Sequence, residues 1–396
     1  MPDVLQGIQG ILVYITSFVV VLSVVVFVHE FGHFQVARWC KVAIDTFSIG
    51  FGKTLVGWRD KKGVEWKVGA LPLGGYVKFT DDADAMSTGP RERIEDPEAF
   101  AEARRKGLFH AQPLSSRAMV VAAGPVTNFI FSILAFATLA LVLGNDVTNY
   151  SAIPARVAVV HENMPAASAG LQAGDIIRGV NGQVVANFAE LQAQIAASPG
   201  RAMALEVERN GQTLAITATP GSQNGRAILG VTGPLVLDSE RSVERYTAFE
   251  SLGVGAKNTW DIVAQTGAYI GAVFAGRESG DQIAGPLGII NVSGQVASGA
   301  LSMPDMDWPQ KLQRLALALL NLAAVLSVAV GFVNLLPIPI LDGGHLLFYG
   351  IEALRGGKPI PPAAQEWAYR AGFAVMASLF LFATWNDITR LLPGAQ

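Results

Sequence analysis

Five consecutive residues, His29-Glu30-Phe31-Gly32-His33, place two imidazoles and a carboxylate at helical spacing. On a helix, side chains four residues apart leave the same face about one turn from each other. His29 and His33 therefore suit two of the nitrogen positions of a tetrahedral zinc ion, whose catalytic sites use three protein ligands and one open position. Glu30 lies beside them, placed to take a proton from water activated at the metal. Such a constellation supports metal-assisted hydrolysis. The same pattern also arises by chance on the polar face of soluble helices, so its setting has to decide.

The setting is apolar. A run begins at Ile11 and meets no acidic or basic side chain until Glu30, and no Lys or Arg precedes Arg38. A carboxylate near the middle of a membrane helix costs about 2.5–3.5 kcal/mol on insertion scales, so one found there is expected to have a function and a partner. A third ligand is offered far along the chain, in Asn334-Leu-Leu-Pro-Ile-Pro-Ile-Leu-Asp342-Gly-Gly-His345. Pro337 and Pro339 forbid a regular helix there, and backbone freed at membrane depth needs protein or water partners. Asp342 fits as the third ligand. His345, one turn on, competes for that place, but is expected in a supporting or packing role.

These residues need a scaffold in the bilayer, and composition provides for one. Of 396 residues 51% are hydrophobic and only 15% charged, with mean hydropathy +0.37. A soluble enzyme would carry about a quarter charged residues. The net charge of −3 says little about partners, and no basic tract suggests nucleic acid. One cysteine, Cys40, excludes an internal disulfide and a thiolate zinc site. Four apolar runs are long enough to be read as spans: Ile11 to Phe34, Ala118 to Leu143, Leu315 to about Leu336, and the shorter Ala371 to about Trp385. The first is not a cleavable signal, because its leader holds Asp3 and no basic residue and the run itself holds the ligands. Basic residues crowd between the first two spans, which puts that loop in the cytoplasm, both termini outside, and the zinc motif near the cytoplasmic end of the first span.

The expected order is a first membrane helix (1–36), a cytoplasmic loop (37–116), a second helix (117–144), an outer domain (150–235), an interfacial region (236–312), a third helix with the second motif (313–345) and a fourth helix (366–392). Within the loop, Ile44 to Phe79 reads as four short strands, Phe47–Phe51, Leu55–Trp58, Glu65–Val68 and Tyr76–Phe79, with a hairpin turn at Asp60–Gly63. An exposed edge there, around Val77, would offer unpaired backbone groups to a peptide. Asp81 to Gly107 reads as charged loop with some helix. Gly124-Pro125 is expected to loosen the second span, and Asn128 to hydrogen-bond to a neighbouring helix. Residues 239–277 are apolar but interrupted by charge, as interfacial helices are.

From about Ile153 to Thr232 the series Pro-Ala, Ala-Gly-Leu171, Gly-Asp-Ile-Ile177 and Val-Asn-Gly182 resembles a bacterial PDZ domain. Its groove would lie between the helix bearing Phe188, Leu191 and Ile195 and a strand through Ile228, Leu229 and Val231. The motif His29-Glu-Phe-Gly-His33 with Asn334-x-x-Pro-x-x-x-x-Asp342-Gly is similar to that of the site-2 protease family of intramembrane metalloproteases. Gly74-Gly-Tyr-Val-Lys78 and Leu341-Asp-Gly-Gly-His345 point to its bacterial RseP type. The fold class expected is thus a polytopic α-helical membrane protein of about four transmembrane helices, with a membrane-associated cytoplasmic β-sheet and an extracytoplasmic α+β PDZ domain. The resemblance implies that His29, His33 and Asp342 bind one zinc, that Glu30 is the general base and that Asn334 assists substrate or transition-state binding. It implies single-pass membrane substrates, such as anti-sigma factors and remnant signal peptides, cut in the inner membrane of a bacterium. The chain departs from the pattern in having room for one PDZ domain rather than a tandem pair. Two rival readings are a catalytically silent PDZ-bearing scaffold and a metal transporter. The second needs a polar path that the sparse hydroxyls of the first two spans do not provide.

Overall fold

The computed structural model describes residues 2–80, 96–223, 226–303 and 306–391. Helix α1 (Pro2–Trp39) is uninterrupted through the zinc motif. Strands β1 (Ile44–Arg59) and β2 (Glu65–Phe79) follow, joined by the expected turn, in which Asp60 accepts from the amides of Lys62 and Val64. The four short strands expected here are two long bent ones. Residues Thr46–Ile49 pair on both sides, with Lys78–Gly75 along one edge and with Glu65–Val68 along the other. Gly50 and Gly52, with φ of +84° and +83°, and Gly74, at +117°, let the strands bend without ending. The stretch 75–79 is left as one margin of the sheet.

Helix α2 (Pro97–Arg105), capped by Asp96, is the helix expected before Gly107, while residues 81–95 lie outside the described ones. Helix α3 (Leu114–Leu143) runs on through Pro125.

Residues 143–246 form a separate compact unit. In it come β3 (Asn145–Asp146), β4 (Val159–Val160), a short α4 (Pro165–Ser168), β5 (Ile176–Val180), β6 (Gln183–Val184), α5 (Phe188–Ala196), β7 (Met203–Arg209), β8 (Gln212–Ala218), β9 (Gly221–Gln223), β10 (Arg226–Ile228), β11 (Val231–Thr232) and β12 (Val243–Glu244). A four-stranded antiparallel sheet in the order β6-β5-β7-β8 is closed by α5 over a core of Ile177, Val180, Leu191, Met203, Leu205 and Val207. Asn210-Gly211, both at positive φ, turn β7 into β8. Asn187 caps α5.

The chain returns to the first unit as α6 (Ala248–Phe274), opened by a capping box between Thr247 and Glu250. It continues as α7 (Pro286–Leu301), α8 (Trp308–Asn334), α9 (Asp342–Leu354) and α10 (Pro362–Leu391). Among the described residues four helices are long and apolar enough to cross a membrane: 10–39, 114–143, 308–334 and 362–390. The third span stops at Asn334, earlier than the sequence reading has it, and Asp342 begins a helix of its own. The fourth starts at Pro362, four residues before the expected 366. Helix α6 is not among the four. Its Gly255 lies against Ile133 and Ala137 and its Ile262 and Val263 join a cluster with Phe136, Ala324 and Val328, so it packs along α3 and α8. Small side chains bring the spans close. Gly331 of α8 meets Asn128 and Pro125, and Ser132 and Ser327 tie α3 to α8 through backbone carbonyls.

Candidate metal and active site

Three helices meet at the motif. On α1 the rings of His29 and His33 stand 4.8 Å apart, both on one face. The second motif delivers its carboxylate by a tight reversal after α8. Gly343 and Gly344 make it possible, since a Cβ on Gly343 would overlap the carbonyls of Leu335 and Leu336, and one on Gly344 would strike Ile338 and Pro339. Asp342, the first residue of α9, then faces the two histidines. Its Oδ2 is 3.3 Å from His29 Nε2 and 3.5 Å from His33 Nε2, and the two Nε2 atoms are 3.2 Å apart.

That triangle fits zinc. Ligand atoms about 2.0–2.1 Å from a tetrahedral zinc ion lie about 3.3 Å from one another. Asp342 Oδ2 is buried with no hydrogen-bond partner, an orphan that a cation would satisfy. Space for the group depends on α3. A Cβ on Gly124 would collide with His33 Nε2 and lie 2.8 Å from His29 Cε1. The outer nitrogens of the rings are also held: His33 Nδ1 is 2.8 Å from the carbonyl of Val120, and His29 Nδ1 is 3.2 Å from Nδ2 of the fully buried Asn128. The neighbouring-helix bond expected of Asn128 thus goes to His29.

A cavity of about 310 Å³ opens on the triad. Glu30 lines it from α1, Asn334 from the end of α8, and Gly75, Tyr76, Val77 and Phe79 from the margin of the bent sheet. Gly75 lets that margin approach the carboxylate, because a Cβ there would sit 2.8 Å from Glu30 Cγ. Phe109, Val120, Val121 and Tyr349 make an apolar wall. His345 also lines the cavity but is not part of the three-atom cluster, and its ring packs 5.8 Å from that of Tyr369. Phe109 and Tyr349 escape the sequence reading, while Gly75 and Gly124 appear there only within the Gly74–Lys78 motif and the Gly-Pro pair, without a place at the site.

The outer residues named for a peptide groove lie together in the second unit. Phe188, Leu191 and Leu229 are 4, 0 and 2% exposed and belong to the core of the second unit, while Ile228 and Val231 are half-buried. Core packing fills the pocket side chains that a groove would need. The backbone of Val231 is already paired with Val160.

Fold and site together define a helical membrane protein with a triad of donor atoms that could hold a metal ion and an adjacent carboxylate. The family model for Peptidase family M50 matches residues 17–379, and the chain belongs to that family. It is 39% identical over 388 residues to a zinc metalloprotease of Agrobacterium fabrum, covering 96% of each chain. It is 38% identical over 397 residues to metalloprotease MmpA of Caulobacter vibrioides, again 96% of each. With the regulator of sigma-E protease RseP of Escherichia coli the identity is 30% over 475 residues, 95% of this chain and 98% of the other. The chain is accordingly an intramembrane zinc metalloprotease, which sets aside the scaffold and transporter readings.

Proposed function

We propose that His29, His33 and Asp342 hold the zinc, that Glu30 is the general base, and that the substrate is a transmembrane segment of another membrane protein, cut near the cytoplasmic face of a bacterial inner membrane. The observation that carries this is the 3.2–3.5 Å triangle of donor atoms with Glu30 on the same cavity. Zinc bound there supplies Lewis acidity to water and to a peptide carbonyl. Glu30 removes the proton from the attacking water and returns it to the leaving amine. Asn334 donates to the carbonyl oxygen as negative charge develops on it. A substrate helix hides its backbone in its own hydrogen bonds, so it must unwind before it can be cut. The margin 75–79 supports a reading in which the unwound strand adds to the sheet beside Glu30, replacing the lost bonds. Anti-sigma factors and remnant signal peptides are substrates of the right form.

Residues 150–235 we read as a single PDZ domain on the far side of the membrane. The burial of Phe188, Leu191 and Leu229 favours a domain that excludes bulky substrates over one that binds them in a groove.

Metal analysis of purified variants tests the assignment. Asp342→Ala should lose zinc and cleavage together, because two protein ligands remain. His345→Ala should keep its zinc. Loss of zinc from His345→Ala but not from Asp342→Ala would transfer the third position to His345.

A further inference from the structure

Asn128 of α3 stands behind the triad, its side-chain amide 3.2 Å from His29 Nδ1. The Nε2 atoms of His29 and His33 face each other at 3.2 Å. His33 carries its proton on Nδ1 and donates it to the carbonyl of Val120 at 2.8 Å. Two acceptors are left buried without partners among the described residues, Asp342 Oδ2 and Asn128 Oδ1. A ligating nitrogen must be bare, so each histidine binds a cation through Nε2 only with its proton on Nδ1.

Loading the site therefore requires the proton of His29 to stand on Nδ1, where it needs an acceptor. His33 needs no change, since Val120 already fixes its Nδ1–H. We propose that Asn128 is the positioning residue that makes His29 a ligand: its otherwise unpartnered Oδ1 accepts from His29 Nδ1–H, which leaves Nε2 bare for zinc. This rests on the triad being the zinc site. Asn128 is fully buried, so no water replaces it. Its backbone is fixed as well, its carbonyl accepting from Ser132 and from Ser327 of α8.

Aspartate at this position keeps only the acceptor and leucine keeps neither group at similar volume. Zinc affinity, measured by chelator competition on the full-length protein in detergent, should stay within a fewfold of wild type in Asn128→Asp. It should fall about 10- to 100-fold in Asn128→Leu, the usual cost of losing a hydrogen bond behind a ligand histidine. A purely packing role predicts the opposite order, since leucine is tolerated in a membrane core and a carboxylate is not. A second reading uses wild-type protein alone. Nitrogen NMR of histidine-labelled protein should show both motif histidines protonated at Nδ1 when zinc is bound. Zinc-bound protein with a bare Nδ1 on His29, or Asn128→Leu binding zinc as wild type does, overturns the proposal and leaves the triad assignment standing. Wild-type protein that takes up no zinc overturns both.

Discussion

At the scale of single residues, the site depends as much on absent atoms as on donors. Gly124 is the sharpest case, because its missing Cβ is the space that the two imidazoles occupy. Alanine is the better helix former by about 1 kcal/mol, so Gly124→Ala should leave α3 at least as stable. Its zinc affinity should nevertheless fall by tenfold or more, a cost of at least about 1.4 kcal/mol. Zinc titration beside a helix-content measurement checks this, and full affinity in a folded variant would refute it. The donors themselves were legible in the sequence because a spacing of four on a helix fixes relative direction. Asp342 was legible because Pro337 and Pro339 forbid a plain continuation of the third span. The partner of Asn128 was not, since a sequence shows that a helix has a polar residue without showing which neighbour that face meets.

At the scale of elements, the bent sheet and the α8–α9 reversal bring distant residues to one place. The sequence shows four apolar stretches between glycines at 47–79, and these are the pieces that pair. It does not show that Gly50, Gly52 and Gly74 bend the chain instead of breaking it, so the strand count comes out differently. Nor does it show that Asp342 opens a helix of its own, since the segment 313–345 reads as one element until the carbonyls beside Gly343 and Gly344 are seen. Helix α9 is further tied to α3 by Arg117, whose guanidinium grips Glu352 in two hydrogen bonds of 2.7 and 3.3 Å. The margin 75–79 gives a direct prediction. Proline at Val77 removes an amide and restricts the preceding residue, so it spoils the margin for pairing without touching a ligand. Val77→Pro should keep its zinc and cut a model transmembrane substrate at least about tenfold more slowly. Unchanged cleavage would end the strand-addition reading.

At the scale of the whole molecule, two compact units with different chemistry share one chain, the second inserted at 143–246 between α3 and α6. Four apolar helices were evident from composition alone. The 27-residue α6 was harder, because alternating charge hides a helix that packs lengthwise on its neighbours. If the inserted unit acts by exclusion, deleting residues 153–232 should let the enzyme cut a substrate that still carries its full outer domain. If it acts by binding, the deletion should leave that substrate uncut and slow the cleavage of a trimmed one. Gel assays of both substrates with the deleted enzyme separate the two outcomes.

The central claim is that this protein hydrolyses peptide bonds at the His29–His33–Asp342 centre with Glu30 as base. The turnover of Glu30→Gln, measured on a model membrane substrate at full zinc occupancy, tests it most directly. Glutamine keeps the size and hydrogen bonding of glutamate but cannot take a proton at neutral pH. Cleavage should fall by about 10²–10⁴-fold with zinc still bound. Cleavage at the wild-type rate by the zinc-loaded variant would contradict the account.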